Sequence, residues 1–402
     1  MIKLDEKTPN IETNSPAQEQ LIDSFDRIID YLRISVTDRC NFRCVYCMPE
    51  AGAPVAPSAE ILTNDEIQRL VAIAVNLGMT KIRITGGEPL LRKGLVELVE
   101  SISSHERIKD LSLTTNGYLL GALAERLARA GLHRVNVSLD TLKHDRFKRI
   151  ARRGELKEVL EGIDAAEKAG LSPLKINCVV MRGYNEDEVL DFVRLTLDRR
   201  IDVRFIELMP INWSQNDEMY PLQGAPTAAP SDGEPFGSKG SSITLYANSQ
   251  LATFNQLFHD SRIKSGGGML DASAMKSSFV ATDEMRTSIE ATFGELLPAI
   301  IRANGPVRSY RVAGAVGTVG FISQISNDMC INCNRLRLTA DGQLRPCLMA
   351  DGEVDLRSAM RTGATDSEIE EMIRITVKHK PKEHRLEDGI EPTGRNMSQL
   401  GG

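Results

Sequence analysis

The 402-residue chain has no run of about 18 consecutive apolar residues, the length that a membrane-spanning helix needs, so we expect no membrane span. Residues 1–7 lack the apolar core of a secretory signal, and the polar run after them is typical of a disordered tail. Positive charge is not in excess: the net charge is −6, which weighs against a nucleic-acid partner. These absences favour a globular protein of the cytoplasm.

Cysteine is scarce outside two short stretches. The seven cysteines are Cys40, Cys44 and Cys47, then Cys178 alone, then Cys330, Cys333 and Cys347. Clustering of this kind without a secretory signal is typical of metal binding in a reducing compartment, which again indicates the cytoplasm. Because Cys178 alternates with apolar residues in a predicted strand, we expect it in the core.

The first cysteine set has the spacing C-x3-C-x2-C and directly follows a strand-like run at residues 31–36. Tetrahedral zinc would need a fourth ligand, and no histidine or further cysteine lies nearby in the sequence. A [4Fe–4S] cluster accepts three cysteines and keeps one iron open for a non-protein ligand. Zinc, or a cluster that only carries electrons, stays the alternative because several metals share soft thiolate sites.

The second set, C-x2-C-x13-C at residues 330–347, again offers three thiolates and no fourth protein ligand. This favours a second [4Fe–4S] cluster with an open iron over zinc. Arg335 and Arg337 alternate in the strand that follows, so both side chains point to one face. That face is either solvated or an anion site beside the cluster, and two arginines there would suit a phosphorylated substrate.

Strands and helices alternate through the first half of the chain. The predicted strands are 31–36, 81–85, 111–115, 134–140, 174–180 and 203–209. This order implies parallel strands joined by crossover helices. Six units are too few for a closed eight-stranded barrel, so the sequence predicts an α/β fold with an open, partial (β/α)6 TIM-like barrel.

The composition changes near residue 214, and a run rich in Pro, Gly, Ser and Ala occupies residues 223–242. We therefore expect four parts: a tail at 1–28, the partial barrel at 29–213, a low-complexity flexible insertion at 214–281, and a C-terminal domain with the second cysteine set at 282–402. A helix over about 282–293 should open the C-terminal domain, with Thr282 as its cap.

Polar residues recur where the predicted strands end. They include the Cys40 loop, Gly86, Gly87 and Glu88, Thr115 and Asn116, Ser138 to Asp140, Arg182 and Gly183, and Glu207 to Pro210. In α/β barrels the carboxyl ends of the strands carry the active site. Each signal alone is weak, but their shared location predicts one site at this face.

Four tracts carry a resemblance to a known family: LRISVTDRCN (32–41), IRITGGEPL (82–90), RFIE (204–207) and CINCNRLRLT (330–339), with Gly401 and Gly402 at the end. With these tracts the chain resembles the GTP 3′,8-cyclase family of the radical S-adenosylmethionine (SAM) superfamily, which begins molybdenum-cofactor biosynthesis. The resemblance covers residues 29–213 and 282–402 and leaves out the insertion and the tail.

The resemblance implies two [4Fe–4S] clusters and SAM as cofactors, with SAM at the open iron of the first cluster and the guanine of GTP at that of the second. Reductive cleavage of SAM would give a 5′-deoxyadenosyl radical that abstracts the C3′ hydrogen of GTP. C3′ would then bond to guanine C8, giving 3′,8-cyclo-7,8-dihydroguanosine 5′-triphosphate. The C-terminal domain would thus also bind GTP.

The resemblance also assigns roles residue by residue. Catalysis would involve Cys40, Cys44, Cys47, Arg335, Arg337, Gly401 and Gly402. SAM would be bound by Tyr46, Gly87, Glu88, Thr115, Ser138 and Met209. GTP would be bound by Arg33, Lys81, Arg83, Lys175, Arg204, Arg335 and Arg337. The metal ligands would be Cys40, Cys44 and Cys47 for the first cluster and Cys330, Cys333 and Cys347 for the second.

Partners implied by the resemblance are GTP, an external electron donor, a downstream cyclic pyranopterin monophosphate synthase reached through the product, and a homodimer. Two other readings remain open at this point. One is a radical SAM enzyme that modifies a peptide, although such enzymes typically carry more C-terminal cysteines. The other is a non-catalytic electron carrier with two clusters, which leaves the strand-end cations and the Gly-Gly-Glu-Pro tract unexplained.

Overall fold

A computed structural model describes residues 20–209, 277–299, 307–326, 330–350, 352–384, 395 and 397–401 of the chain. One sheet of twelve strands forms its centre. The strands are β1 (Tyr31–Ser35), β2 (Lys81–Thr85), β3 (Asp110–Thr115), β4 (Arg134–Ser138), β5 (Leu174–Val180), β6 (Ile201–Glu207), β7 (Leu297–Pro298), β8 (Arg308–Arg311), β9 (Thr318–Ile322), β10 (Arg335–Leu338), β11 (Gln343–Arg345) and β12 (Val354–Asp355).

Helices connect and cover these strands. They are α1 (Asn64–Asn76), α2 (Leu95–Ser103), α3 (Leu120–Arg129), α4 (His144–Ala151), α5 (Leu156–Lys168), α6 (Val189–Asp198), α7 (Thr282–Phe293), α8 (Leu356–Arg361), α9 (Asp366–Lys378) and α10 (Met397–Leu400). Short 3₁₀ turns lie at Ser58–Glu60, Pro89–Leu91 and Glu186–Glu188. None of the helices that the structure describes combines the length and apolar character needed to cross a bilayer.

Strands β1 to β6 lie side by side in chain order, and every pair of neighbours is parallel. At least one helix lies between each strand and the next, which is the crossover that a parallel pair requires. The predicted α/β class and its six parallel strand units are thereby confirmed.

The C-terminal part of the chain extends this same sheet at both edges. Strand β10 pairs in parallel with β1, matching Arg337 with Arg33, and β9 pairs in parallel with β6, matching Gly320 with Arg204. The parallel array therefore has eight strands, and β11–β12 and β8–β7 add antiparallel strands at its ends. The sequence did not predict this sharing of one sheet.

The four predicted domain boundaries stay predictions, since residues 210–276 lie outside the described part.

Local chemistry explains how the helices begin. The Thr63 hydroxyl accepts from the Glu66 amide, and the Glu66 carboxylate accepts from the Thr63 amide, so α1 starts with the capping box that the sequence predicts. The predicted cap of α7 is wrong. Ala281 is the N-cap and makes no side-chain bond, because the Thr282 hydroxyl instead donates to the Glu207 carboxylate at 2.8 Å.

Along the parallel strands, apolar side chains alternate with buried cations. On β1, Leu32 and Ile34 belong to the main apolar core, while Arg33 between them is 8% exposed and lines an interior cavity. Parallel strands covered by helices are normally apolar on both faces. Here the inner face is polar and positively charged, so an interior cavity takes the place of packed apolar layers. Cys178 is 1% exposed on β5, which confirms its predicted place in the core.

Candidate active site

A cavity of about 250 Å³ opens at the carboxyl ends of the parallel strands. Its lining includes the first cysteine set (Cys40, Cys44, Cys47), strand-end polar residues (Gly87, Thr115, Asn116, Ser138, Asp140, Asn177, Glu207), five arginines (Arg33, Arg83, Arg204, Arg335, Arg337), and Tyr46 and Met209. Most of the strand-end signals of the sequence therefore meet around one space, as the barrel topology requires. Arg182 and Gly183 do not line it, and Pro210 lies outside the described residues.

The first cysteine set lies in a tight loop against this cavity. The Cys47 amide donates to the Cys44 carbonyl at 2.9 Å, and the Phe42 amide approaches the Cys40 sulfur at 3.4 Å. Burial raises the pKa of Cys40 to about 11 and that of Cys47 to about 12. Free thiols here are therefore protonated at neutral pH, and metal binding must displace those protons.

The Gly-Gly-Glu tract holds the cysteine loop by backbone contact. The Gly87 amide donates to the Thr37 carbonyl and the Glu88 amide to the Arg39 carbonyl, both at 2.7 Å. A Cβ at Gly87 would lie 2.3 Å from the Arg39 carbonyl oxygen, so only glycine permits this approach. Gly87 thus fixes the loop as well as lining the cavity.

The Glu88 side chain is fully buried behind the cavity. Its carboxylate accepts from the Leu90 amide at 2.9 Å and from the Thr115 hydroxyl and Asn116 amide at 2.7 Å. Burial raises its pKa to about 7, against the opposing effect of these donors. The carboxylate is engaged with the protein, and its predicted contact with SAM stays a prediction.

Asp140 connects the cysteine loop to β5. Its carboxylate accepts from the Tyr46 hydroxyl at 2.8 Å and from the Val179 amide at 2.9 Å. Burial raises the pKa of Asp140 to about 6, while these two donors oppose the shift. The Tyr46 ring is thereby fixed beside Cys47, where Ser138 also borders the cavity.

The second cysteine set lies outside the lining of the cavity, and Cys333 lies next to the cavity residue Arg335. The Cys333 amide donates to the Cys330 carbonyl at 3.0 Å, and the Met349 amide approaches the Cys347 sulfur at 3.4 Å. Burial would raise the pKa of Cys333, but the positive charges of Arg335 and Lys380 outweigh it and lower that pKa to about 6. This thiol is poised to ionise.

The five cavity arginines form a cationic layer whose members repel one another. Burial first, and then the charge of Arg335, lower the pKa of Arg337 to about 9. Burial and the charge of Arg83 likewise lower the pKa of Arg204 to about 10. The Nη2 atoms of Arg83 and Arg204 are both buried without a hydrogen-bond partner among the described residues. Such donors fit a polyanionic ligand.

Two predicted cations lie away from the cavity lining in the described structure. The Lys175 ammonium is completely buried 3.6 Å from the Asp202 carboxylate, without a hydrogen bond to a described residue. Burial and the charge of Arg204 lower its pKa to about 6. Lys81 pairs with Asp30 at 2.7 Å, at the opposite end of β2 from Thr85. Binding of GTP by Lys81 stays a prediction.

The C-terminus reaches the arginine layer. The Gly401 carbonyl accepts from Arg33 at 2.9 Å and from Arg337 at 3.4 Å. Its φ is +75°, and a Cβ there would lie 2.5 Å from the Thr85 hydroxyl oxygen. Gly401 therefore contacts two cavity arginines, and Gly402 lies outside the described residues. The catalytic role of both glycines stays a prediction.

Sequence reasoning missed Asn177 and Thr85 as cavity residues. The Asn177 side chain lines the cavity, and its Oδ1 is buried without a hydrogen bond to any described residue. Asn177 follows Lys175 by two positions, and Thr85 follows Arg83 by two. Since alternate residues of a strand share a face, this spacing was the available signal.

The residues present fit the two clusters that the resemblance implies. Each set supplies three cysteines, and in each a backbone amide two residues later approaches a sulfur, an interaction that tunes iron–sulfur clusters. Among the described residues, no three His, Cys, Asp or Glu side chains converge closely enough to hold one metal ion. The fit to two clusters therefore rests on the number and sequence spacing of the cysteines and on these two amide contacts.

Comparison with known proteins gives consistent matches. A family model described as the radical SAM superfamily matches residues 34–196, and one described as Molybdenum Cofactor Synthesis C matches residues 269–386. A GTP 3′,8-cyclase of Heliobacterium modesticaldum is 44% identical over 95% of this chain and 100% of its own length. One of Moorella thermoacetica is 41% identical over 94% of this chain and 99% of its own length.

Proposed function

The chain belongs to the GTP 3′,8-cyclase family, and from that premise we propose that its cavity holds SAM and GTP side by side, with each served by its own cysteine set. As a radical SAM enzyme it acts in molybdenum-cofactor biosynthesis. When bound, the clusters and SAM supply the one-electron chemistry: SAM cleavage, abstraction of the C3′ hydrogen of GTP, and closure of C3′ onto guanine C8.

One cavity contains both the first cysteine set and five arginines, and this juxtaposition supports the proposal. SAM would lie beside Cys40, Cys44 and Cys47, bordered by Thr115, Ser138, Met209, Tyr46 and the backbone of Gly87. The triphosphate of GTP would lie on the arginine layer, with guanine toward the set at Cys330, Cys333 and Cys347. The buried guanidinium N–H groups of Arg83 and Arg204 that lack a partner among the described residues favour binding of such a tetra-anion.

The chain's own residues would orient the substrate and exclude water. Arg33 and Arg337 donate to the Gly401 carbonyl, and Met397 and Ser398 line the cavity, so the tail would close its nucleotide side. The apolar side chains of Met209, Leu348 and Met397 line the cavity and pack together in one cluster. Such a wall would keep solvent and other small molecules out of this space, which limits side reactions of a reactive intermediate.

Anaerobic turnover tests this function directly. The reconstituted protein is mixed with SAM, GTP and dithionite, and 5′-deoxyadenosine and the cyclised nucleotide are followed by mass spectrometry. We expect both products together, and neither when SAM or dithionite is omitted. Deoxyadenosine with no GTP-derived product would point to another substrate, such as a peptide. Intact clusters with neither product would support the electron carrier.

Lys175 should make GTP binding take up a proton. Its pKa is about 6 in the free protein, so the amine is mostly neutral at pH 8. A triphosphate on the cavity arginines would offset the charges of Arg204 and Arg83, which lower this pKa, and so restore the charge of the amine. Titration calorimetry at pH 8 in buffers of different ionisation enthalpy should show uptake of up to about one proton per GTP. Lys175→Met should abolish this uptake and Lys81→Met should not. Equal uptake in all three proteins would contradict the role of Lys175.

The depressed pKa of Lys175 also makes the stability of the free protein depend on pH. Unfolded lysine binds its proton up to its ordinary pKa of 10.5, whereas folded Lys175 releases it near 6. The unfolded chain therefore binds more protons across this window, and the free protein should become more stable as the pH rises from 6 towards 10.5. Lys175→Met should flatten that part of the pH profile of the unfolding temperature.

Arg204→Met should stabilise the free protein while weakening GTP binding. The buried Arg204 is held among like charges, so its removal should raise the free energy of unfolding by about 1–3 kcal/mol. The variant should bind GTP about 10- to 100-fold more weakly, because a charge-assisted hydrogen bond is lost. Arg199→Met is the control, since Arg199 pairs with Glu167 and Asp164 away from the cavity. A loss of stability with unchanged affinity would contradict the anion role.

The remaining partners follow from this function. An external one-electron donor must reduce the first cluster, and a downstream cyclic pyranopterin monophosphate synthase would consume the product. We place the protein in the cytoplasm because two sets of free cysteines persist best in a reducing compartment. A homodimer is proposed from the family alone.

A further inference from the structure

Two buried cations meet the protein backbone around the second cysteine set. Arg27 is 8% exposed and Lys380 is 2% exposed. Both donate to carbonyl oxygens of the loops that carry Cys330, Cys333 and Cys347. We call this pair the carbonyl clasp.

Arg27 joins three segments through its guanidinium. One Nη1 donates to the Cys330 carbonyl at 2.8 Å and to the Lys382 carbonyl at 2.7 Å, and Nη2 donates to the Pro381 carbonyl at 2.6 Å. Nε is bound by the Asp23 carboxylate at 2.6 Å. The planar guanidinium thus connects the Cys330 carbonyl to the segment that directly follows α9.

Asp23 prepares Arg27 for this contact. Its Oδ1 accepts from the Phe25 amide at 2.9 Å and from the Arg27 amide at 3.0 Å, while Oδ2 holds the Arg27 side chain. The Asp23 carboxylate thus closes the turn at residues 23–27 together with the backbone bond from the Asp23 amide to the Arg27 carbonyl at 3.1 Å. Arg27 is oriented before it reaches the cysteine loop, 303 positions away in sequence.

Lys380 connects the other two cysteines of the set. Its ammonium donates to the Arg335 carbonyl at 2.9 Å and to the Pro346 carbonyl at 2.6 Å. Arg335 follows Cys333 by two residues, and Pro346 directly precedes Cys347. Lys380 therefore fixes the spacing between the strand that starts after Cys333 and the turn that presents Cys347.

We propose that Arg27 and Lys380 are positioning residues that hold the three loop carbonyls so that Cys330, Cys333 and Cys347 can bind one cluster. This rests on the proposed function, in which that set carries the second cluster. Three cysteines on two separate segments must be brought to one geometry, and residues behind the ligands usually do this. The two positive charges also offset the negative charge that three thiolates bring into a buried site.

The test isolates the second cluster. In a Cys40→Ala/Cys44→Ala/Cys47→Ala background, iron can bind only at the second set, and iron and sulfide per chain are measured after anaerobic reconstitution and challenge with a chelator. Arg27→Met and Lys380→Met should each lower the apparent affinity for iron about 10- to 100-fold, the usual cost of removing support behind a metal ligand. Lys380→Arg should recover part of the loss, because a guanidinium can still donate to both carbonyls.

Two controls separate positioning from general stability. In the reciprocal background, Cys330→Ala/Cys333→Ala/Cys347→Ala, the same substitutions should leave iron at the first set unchanged. Ser24→Ala removes another bond between the same segments, from the Ser24 hydroxyl to the Lys378 carbonyl at 2.7 Å, and should leave the second cluster intact. The unfolding temperature of each apoprotein is measured alongside.

The outcomes are distinct. Iron loss confined to the second-set background supports the clasp. Equal iron loss in both backgrounds overturns the clasp, and so does full iron retention in both clasp variants. Either result leaves standing the proposal that the second set binds a cluster. If the parent protein with an intact clasp binds no iron at the second set, the proposed function of that set fails, and the clasp fails with it.

Discussion

Cys40→Ala should form neither 5′-deoxyadenosine nor the cyclised nucleotide, whereas Cys347→Ala should still form 5′-deoxyadenosine without the nucleotide product. All three cysteines of the first set line the cavity, and none of the second set does. Loss of a first-set ligand should therefore remove SAM cleavage and everything after it. Loss of a second-set ligand should remove only the placement of GTP, leaving SAM cleavage uncoupled. Mass spectrometry of both products in single-turnover reactions measures this.

Cys178→Ala is the matched control for those two variants. Cys178 is 1% exposed on β5, and its sulfur lies 3.7 Å from the Asp140 carbonyl, so its loss removes a thiol without touching either set. This variant should form both products. Loss of 5′-deoxyadenosine in Cys347→Ala would refute the division of labour between the sets. Loss of both products in Cys178→Ala would show that the assay reports folding instead of cluster binding.

The alternation of strands and helices was predictable because each element is specified locally. The capping box at Thr63 and Glu66 and the apolar face of α1 are readable from adjacent residues, and they define one crossover unit without knowledge of the rest. The places of β9 and β10 were not predictable in this way. Strand β10 pairs with β1 across some three hundred residues of sequence, and partner choice over that distance leaves no local signal.

The site, like the fold, was only partly predictable from the sequence. The spacing of the first cysteine set and the strand-end polarity predicted one shared location, and the structure brings most of these residues around one cavity. Lys81 and Arg83 show what the pattern could not predict. Both lie on one face of β2, but Lys81 pairs with Asp30 at the start of the strand, whereas Arg83 lies further along it and lines the cavity. Arg27 and Lys380 show a different limit. Their partners are backbone carbonyls, which every residue possesses, so no sequence pattern marks them.

Gly401→Ala should lower formation of the cyclised nucleotide about 100-fold while leaving SAM cleavage close to that of the wild type, since a displacement of about 1 Å can have such an effect. The new Cβ would lie 2.5 Å from the Thr85 hydroxyl oxygen, at a φ of +75° that alanine rarely adopts. The tail must then move away, and the Gly401 carbonyl loses the 2.9 Å hydrogen bond that Arg33 donates to it. The ratio of cyclised nucleotide to 5′-deoxyadenosine measures the effect.

The clash and the backbone strain at Gly401 can be separated. Gly363 also has a positive φ, of +98°, but a Cβ there would meet nothing within 4 Å. Gly363→Ala should therefore cost about 1 kcal/mol of stability and leave the product ratio unchanged. In Gly401→Ala/Thr85→Ala the hydroxyl that the new Cβ meets is gone, so the ratio should partly recover. A product ratio in Gly401→Ala equal to that of Gly363→Ala would mean that the tail does not position GTP, because the contact between Gly401 and the arginine layer would then be dispensable.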